Sequence, residues 1–423
     1  MYLADSRGAK AGDPEDPSVP GPRRRPTAVP GTVLALGTVS LITDVSSEMV
    51  SAVLPLYVVA GLGLSPLGFG LLDGINNGIG ALVRLLGGHL ADRGGRAHKT
   101  VAALGYGLSA LAKPLLLFAH TIPLISAVLA VDRTGKGLRT APRDAMISLA
   151  TEPAHRGRAF GVHRAMDTTG ALLGPLAAFG ILGVAADGYD AVFTLSACAA
   201  ALGVLVLLLF VPSYRKQEGE PPARLTFRES AALLRIPALR RLTLCAVLLG
   251  LTTVSDAFVY LLIQRELVLP AHLFPLLPLG TAAAFLLLAV PMGMLADRIG
   301  RRRLFLVGHA ALLLGYALVL RPPVHSAVVV VPVLLLLHGA FYAATDGVLA
   351  AATADTVPAS AQGAGQALVG TGQALGRFGC SLAFGAAWSA WGGPTALATA
   401  ATALAVSALV AAQILRTGHR ESA

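Results

Sequence analysis

Charge is scarce in this 423-residue chain: 13% of residues are charged and 55% are hydrophobic, with a mean hydropathy of +0.69. Soluble domains carry roughly 25% charged residues, so a water-facing globular surface is excluded. Cysteine is scarce too. Cys198, Cys245 and Cys380 are odd in number, lie in apolar runs and show no CxxC spacing, which excludes a disulfide framework and a zinc site and leaves them as small packing residues. HExxH, GxSxG and Walker sequences are missing. The corresponding enzyme classes and a self-contained ATP-driven pump fall away with them, no cofactor is implied, and an ion gradient or facilitated diffusion remains as the source of work. Residues 1–30 are polar, hold six prolines and lack the apolar core of a cleaved signal peptide, so they read as a disordered tail.

What is abundant is apolar sequence in runs of the length that crosses about 30 Å of hydrocarbon. Twelve spans are expected, near 33–60, 67–91, 100–119, 123–144, 159–184, 189–212, 242–264, 274–296, 304–321, 325–355, 361–391 and 394–415. The net charge of +10 follows their topology. Seven of the 33 Lys and Arg lie in the two tails and eighteen in loops on the same side, with Arg139 and Arg143 counted at a helix end; opposite loops hold two, Arg265 and Arg321. By the positive-inside rule both termini are cytoplasmic, in a multi-pass protein of the cell membrane, and nucleic acid is not a partner.

The chain also repeats itself. Residues 87–99 read GGHLADRGGRAHK and residues 292–304 read MGMLADRIGRRRL, and Gly88 precedes Gly293 by 205 positions. The same offset carries Pro153 to Pro358 and Gly174 to Gly379. Two six-helix bundles are expected, 31–212 and 242–415, joined by a cytoplasmic linker at 213–241 and followed by a short tail at 416–423. Parallel repeats with a site at their interface are a transporter architecture.

On these motifs the chain resembles the major facilitator superfamily over about residues 31–415. Gly88, Asp92, Arg93, Gly95 and Arg96 resemble that family's loop between spans two and three, and Gly293, Asp297, Arg298, Gly300 and Arg301 its second copy. Arg133 and Gly137 resemble its span-four Arg-x-x-x-Gly pattern. Gly170-Ala-Leu-Leu-Gly174-Pro175 resembles the span-five pattern of its 12-span drug:proton antiporters. The resemblance implies an all-α fold of two pseudo-symmetric halves. Physically, Asp92 and Asp297 sit at helix junctions beside arginines, where a carboxylate serves as a conformational latch or a turn. Gly170 and Gly174 fit close helix packing, and Pro175 a kink.

The stretch DRTGKGLRTAPRD, residues 132–144, carries six charges in thirteen positions after an apolar run. Asp132, Lys136, Arg139 and Arg143 fall within about 60° of one another on a helix. An ionised group at mid-bilayer costs about 2.5–3.5 kcal/mol, so this face must look into the bundle. Asp44, Asp132, Arg133 and Asp167 fall about 13–18 Å deep, where such transporters bind cargo. Glu48 shares a face with Asp44, and His163, Arg164 and Asp167 form a second cluster. Asp73 and Lys113 are expected to pair. Structural salt bridges are one reading of these charges; the other is proton coupling through Asp44, Glu48, Asp132, Arg133 and Asp167. In that reading a carboxylate alternates between a proton and Arg133. Lys136, Arg139, Arg164, Asp73, Lys113, Asp256 and Asp346 then line the polar path, and the apolar runs of the second half form a hydrophobic wall. His338 reads as a satisfied interior histidine.

The expected function is proton-coupled efflux of a small amphiphilic organic compound by a monomer in the lipid bilayer. Export of a siderophore or metabolite and uptake by symport are the alternatives, with a receptor or an intramembrane enzyme behind them.

Overall fold

The computed structural model describes residues 29–76, 98–152, 155–185, 187–212, 232–321, 327–358 and 361–420. Every regular element among them is helical, because backbone crossing lipid must satisfy its hydrogen bonds internally. The helices are α1 (Gly31–Leu56, extended by a π-turn at Tyr57–Gly61), α2 (described over 66–76), α3 (His98–Leu115), α4 (Ile122–Leu149), α5 (Arg156–Val184) and α6 (Tyr189–Phe210). The second series is α7 (Pro237–Gly250), α8 (Asp256–Glu266), α9 (Leu276–Ile299), α10 (Arg301–Leu320), α11 (Ala327–Ala354), α12 (Gln362–Trp391) and α13 (Gly393–Arg420). Eight of the described helices are long and apolar enough to cross a membrane.

Two expectations about these elements are corrected. The fourth span runs to Leu149 rather than 144, so Arg139 and Arg143 belong to its interior; Arg139 is only 3% exposed. The seventh span is interrupted over 251–255, between α7 and α8. There the β-branched residues Thr252, Thr253 and Val254 disfavour helix. Their backbone is not abandoned: Val254 donates its N–H to the Tyr316 hydroxyl of α10 at 3.0 Å.

The repeat reappears as geometry. Shifting the starts of α1, α3, α4, α5 and α6 by 205 positions lands within two residues of the starts of α7, α10, α11, α12 and α13. Packing repeats as well: α1 lies against α5 and α6, and α3 against α4 and α6, just as α7 lies against α12 and α13, and α10 against α11 and α13.

The α1–α5 contact is set by small residues. A Cβ on Gly174 would lie 2.8 Å from the Val45 carbonyl oxygen and 2.9 Å from the Met49 nitrogen, and Gly170 abuts the Leu41 backbone in the same way. Such close approach lets van der Waals contact hold helices together where no hydrophobic drive separates protein from lipid. Helix α5 runs on through Pro175. Of the second-copy junction, Gly300 has φ +91° where α9 hands over to α10, a conformation that favours glycine. Arg298 and Gly293 are exposed beside it. The side chains of Asp297 and Arg301, and the whole first copy (Gly88, Asp92, Arg93, Gly95, Arg96), lie outside the described residues, as does most of the expected linker.

Replacing Gly174 by Val is expected to push α5 off α1 at a cost of about 1–3 kcal/mol. The unfolding midpoint of the purified protein in detergent should fall by several degrees; an unchanged midpoint would show that the seam does not set the helix spacing.

Candidate functional site

Two adjoining cavities lie between the helices. The larger, about 830 Å³, is lined by Asp44 of α1, Asn76 of α2, the α4 residues Arg133, Lys136, Gly137, Arg139, Thr140, Arg143 and Asp144, and Phe160, Gly161, His163, Arg164 and Asp167 of α5. It reaches the end of the molecule where α1 begins, where the Arg164 side chain is 78% exposed. The smaller cavity, about 290 Å³, lies deeper and takes Glu48, Ser51, Asp73, Asn76 and Arg133 from the first series and Ser255, Asp256, Tyr260, Tyr342 and Arg377 from the second. Asn76 and Arg133 line both.

Helix α4 distributes its charges to three neighbours. Asp132 turns toward α3 and pairs with Lys113 at 3.2 Å, both almost fully buried. Lys136 reaches α1, 3.8 Å from Asp44 and 3.9 Å from Glu48. Arg139 lies 3.7 Å from Asp44 and stacks over the Tyr106 ring at 4.4 Å, which gives a buried guanidinium both a carboxylate and a π-face. Arg143 bridges Asp144 at 3.0 Å and Asp167 of α5 at 3.7 Å, and Arg164 meets Asp167 at 3.4 Å. Asp44 and Asp167 line the same cavity beside these cations. His163 turns from this cluster to the Ser40 hydroxyl at 3.0 Å.

Three expectations are corrected here. Lys113 pairs with Asp132 and not with Asp73. Arg133, expected against a carboxylate, is held by the Asn76 side-chain oxygen and, at 3.4 Å, by the Ser51 hydroxyl, while Lys136 and Arg139 take the carboxylates of α1. The second half supplies a hydrophobic wall only in part, and not from the run expected: Val328 and Val329 are 79% and 62% exposed on the outside, while Val254, Ala257, Phe274 and Pro278 line the deep cavity beside the polar Ser255, Asp256, Tyr260, Tyr342 and Arg377. Asp256 accepts hydrogen bonds from the Tyr342 hydroxyl at 2.7 Å and from His338 at 3.1 Å, and Arg377 lies over the Tyr342 ring at 5.9 Å. His338 is thus a satisfied histidine. The Asp346 side chain lies outside the described residues.

The far end of the molecule is closed by contacts between the two series. Asp73 of α2 is buried and accepts hydrogen bonds from Ser255, at the interrupted seventh span, at 2.9 Å and from Ser381 of α12. Ser255 stands at the N-cap of α8 but spends its hydroxyl on Asp73 instead of on its own helix. One turn away Gly70 packs directly on the Ser381 backbone, the Leu67 N–H donates to the Ser389 hydroxyl at 3.1 Å, and the Phe69 and Phe258 rings meet edge-on at 5.0 Å. Sequence reasoning missed this clasp. A lone Asp near the start of a span was its only signal, and nothing local names its partners 182 and 308 positions away.

Paired helical repeats around a charged cavity, closed at one end and open at the other, define a membrane transporter rather than an enzyme. The chain belongs to the Major Facilitator Superfamily, whose family model matches residues 36–267 and again 242–423. It is 31% identical over 291 residues to an uncharacterized MFS-type transporter of Methanocaldococcus jannaschii, covering 66% of this chain and 69% of that one. An uncharacterized protein of Mycobacterium tuberculosis is 35% identical over 176 residues, which is 41% of this chain and 40% of that protein. Among solved structures the nucleoside transporter NupG superposes with TM-score 0.78 at 14% identity, covering 91% of this chain and 99% of that one. A bacterial homolog of the human lysosomal transporter Spinster, inward-facing and occupied, gives 0.74 at 15% identity over 91% and 96%. At these identities the structures speak for the fold alone.

Two expectations follow from the contacts. Lys113→Met alone strands the Asp132 carboxylate and should destabilise by roughly 3–5 kcal/mol, whereas Lys113→Met with Asp132→Leu should recover most of it; thermal unfolding of all three proteins decides, and a double variant no better than the single one would refute the pairing. Ser255→Ala with Ser381→Ala should loosen the closed end. Spin labels at Val184 and Trp391, exposed ends of α5 and α12, should report about a tenfold larger long-distance population; an unchanged distribution would mean that the Asp73 contacts do not hold the halves together.

Proposed function

We propose that the protein is a proton-coupled secondary transporter exporting a small polar organic solute by alternating access, as a monomer in the cell membrane with both termini cytoplasmic. In that orientation the larger cavity opens inward and the Asp73 clasp seals the outer side. One observation carries the coupling: Asp44 and Asp167, on two helices pressed together by the glycine seam, line one cavity beside Lys136, Arg139 and Arg143. Two carboxylates facing one cavity repel each other, and a proton taken up by the pair relieves that repulsion. Taking up or releasing that proton changes the charge facing three cations and biases how α1, α4 and α5 sit. Glu48, sharing Lys136 with Asp44, feels the same change.

The nature of the cargo follows from the walls. With Asp256, Tyr260, Tyr342 and Arg377 contributed by the second series, the deep cavity suits a polar metabolite better than the amphiphilic drug first expected. Export rests on the resemblance of Gly170 to Pro175 to the antiporter pattern.

The test is release of solutes from a bacterium stripped of its own exporters. Cells producing the wild type, Asp44→Asn and Asp167→Asn at equal membrane levels are compared by untargeted profiling of medium and cytosol, and any solute found is then followed in proteoliposomes under an imposed pH gradient. Wild type should export a polar compound, and each variant should lose gradient-driven transport by at least about tenfold while keeping exchange across a solute gradient alone. Accumulation instead of release would establish symport. Gradient-driven transport that survives both substitutions would sink the coupling.

A further inference from the structure

Arg133 differs from the other cations described in the interior of α3, α4 and α5. Lys113, Lys136, Arg139, Arg143 and Arg164 each have a carboxylate oxygen at a nearest distance between 3.0 and 3.8 Å. Among the described residues, the hydrogen bonds of Arg133 go to two neutral groups, the Asn76 amide oxygen and the Ser51 hydroxyl. Its guanidinium is half-buried at the junction of the two cavities, where an uncompensated charge is costly.

The internal repeat shows which group is missing. The 205-residue offset carries Ser51 to Asp256 and Arg133 to His338. In the second half that pair of positions holds a base and an acid, His338 against Asp256 at 3.1 Å. In the first half the base is kept, as an arginine, but the acid is replaced by a serine. The other carboxylates of the deep cavity are engaged by protein donors: Glu48 by Lys136, Asp73 by two serine hydroxyls, and Asp256 by His338 and Tyr342.

We propose that the transported solute supplies this acid: an anionic group of the cargo, carboxylate or phosphate, binds Arg133 at the junction of the cavities. The planar guanidinium, steadied through Asn76 and Ser51, presents its remaining N–H groups as a fork that fits either oxyanion. Arg377, on the opposite wall of the same cavity, adds positive potential from the second half. The inference rests on the transport reading only in taking the bound anion to be the cargo.

The experiment measures binding at equilibrium, with no pH gradient, on the full-length protein purified in detergent. Unfolding midpoints are recorded with succinate, its neutral diamide, the matched diamine, and inorganic phosphate. At least one anion should raise the wild-type midpoint while diamide and diamine do not. Arg133→Gln should weaken that response about tenfold or more, and Arg133→Lys should keep phosphate better than succinate, since an ammonium is a point charge without the fork. Ser51→Asp, which installs the acid of the second half, should raise the midpoint without any ligand and weaken the anion response about tenfold; Ser51→Asn controls for size. The proposal is overturned if Ser51→Asp lowers the midpoint relative to Ser51→Asn, if the anion response survives Arg133→Gln, or if neither anion stabilises the wild type. Loss of proton coupling in the Asp44 and Asp167 variants leaves this result untouched, so the two readings fail separately.

Discussion

A charge held within the thickness of a membrane must find a counter-charge, and most of this structure can be understood as the means of providing one. Helix α4 brings a dense set of charges into the bundle and discharges them in three directions, to Lys113 on α3, to Asp44 and Glu48 on α1, and to Asp167 on α5. That distribution fixes the rotation of α4 about its own axis, since turning it would bare several charges to lipid at a cost of about 2.5–3.5 kcal/mol each. The glycine seam between α1 and α5 belongs to the same economy. The seam holds α1 and α5 at the spacing at which Asp44, with Lys136 and Arg139, and Asp167, with Arg143 and Arg164, line one cavity.

The two halves repeat one packing plan with different chemistry. In the first, the site is a network of full charges; in the second, it is Asp256 with His338 and Tyr342. Among the described residues, the halves meet through hydroxyls, glycines and aromatic edges instead of ion pairs. The Asp73 clasp uses two serines, which hold a carboxylate firmly but separate at less cost than a buried ion pair would. In the alternating-access cycle proposed above, a joint that opens on each turnover is well served by such bonds. The interrupted seventh span is where this joint meets the cavity: Ser255 faces the clasp, and the next residue, Asp256, lines the deep cavity.

Much of this was legible in the residues. Low charge and long apolar runs identify a membrane protein, the 205-residue offset predicts helix starts to within two residues, and a 3.6-residue period puts Asp132, Lys136, Arg139 and Arg143 on one side of α4. Depth along a helix also groups Asp44, Glu48 and Asp167 with α4. Pairing was less legible. Lys113 and Asp73 were expected together and are apart; Arg133 was expected against a carboxylate and faces Asn76 and Ser51. Depth fixes the height of a side chain but not its azimuth, and partners are chosen by azimuth. The apolar run of α11 misled for a related reason: a greasy stretch in a membrane protein faces lipid as readily as a cavity.

The sequence by itself therefore determined the solvent this protein lives in, its division into repeated helical halves and the depth at which its charges collect, because composition, periodicity and internal repetition are properties of the chain. Only the tertiary structure decided which acid meets which base, that the seventh span breaks at residues 251–255, and that Asp73 bridges the halves. Those outcomes depend on how helices distant in sequence rotate and approach, and that is set by the close contacts of small residues across interfaces that no local pattern encodes.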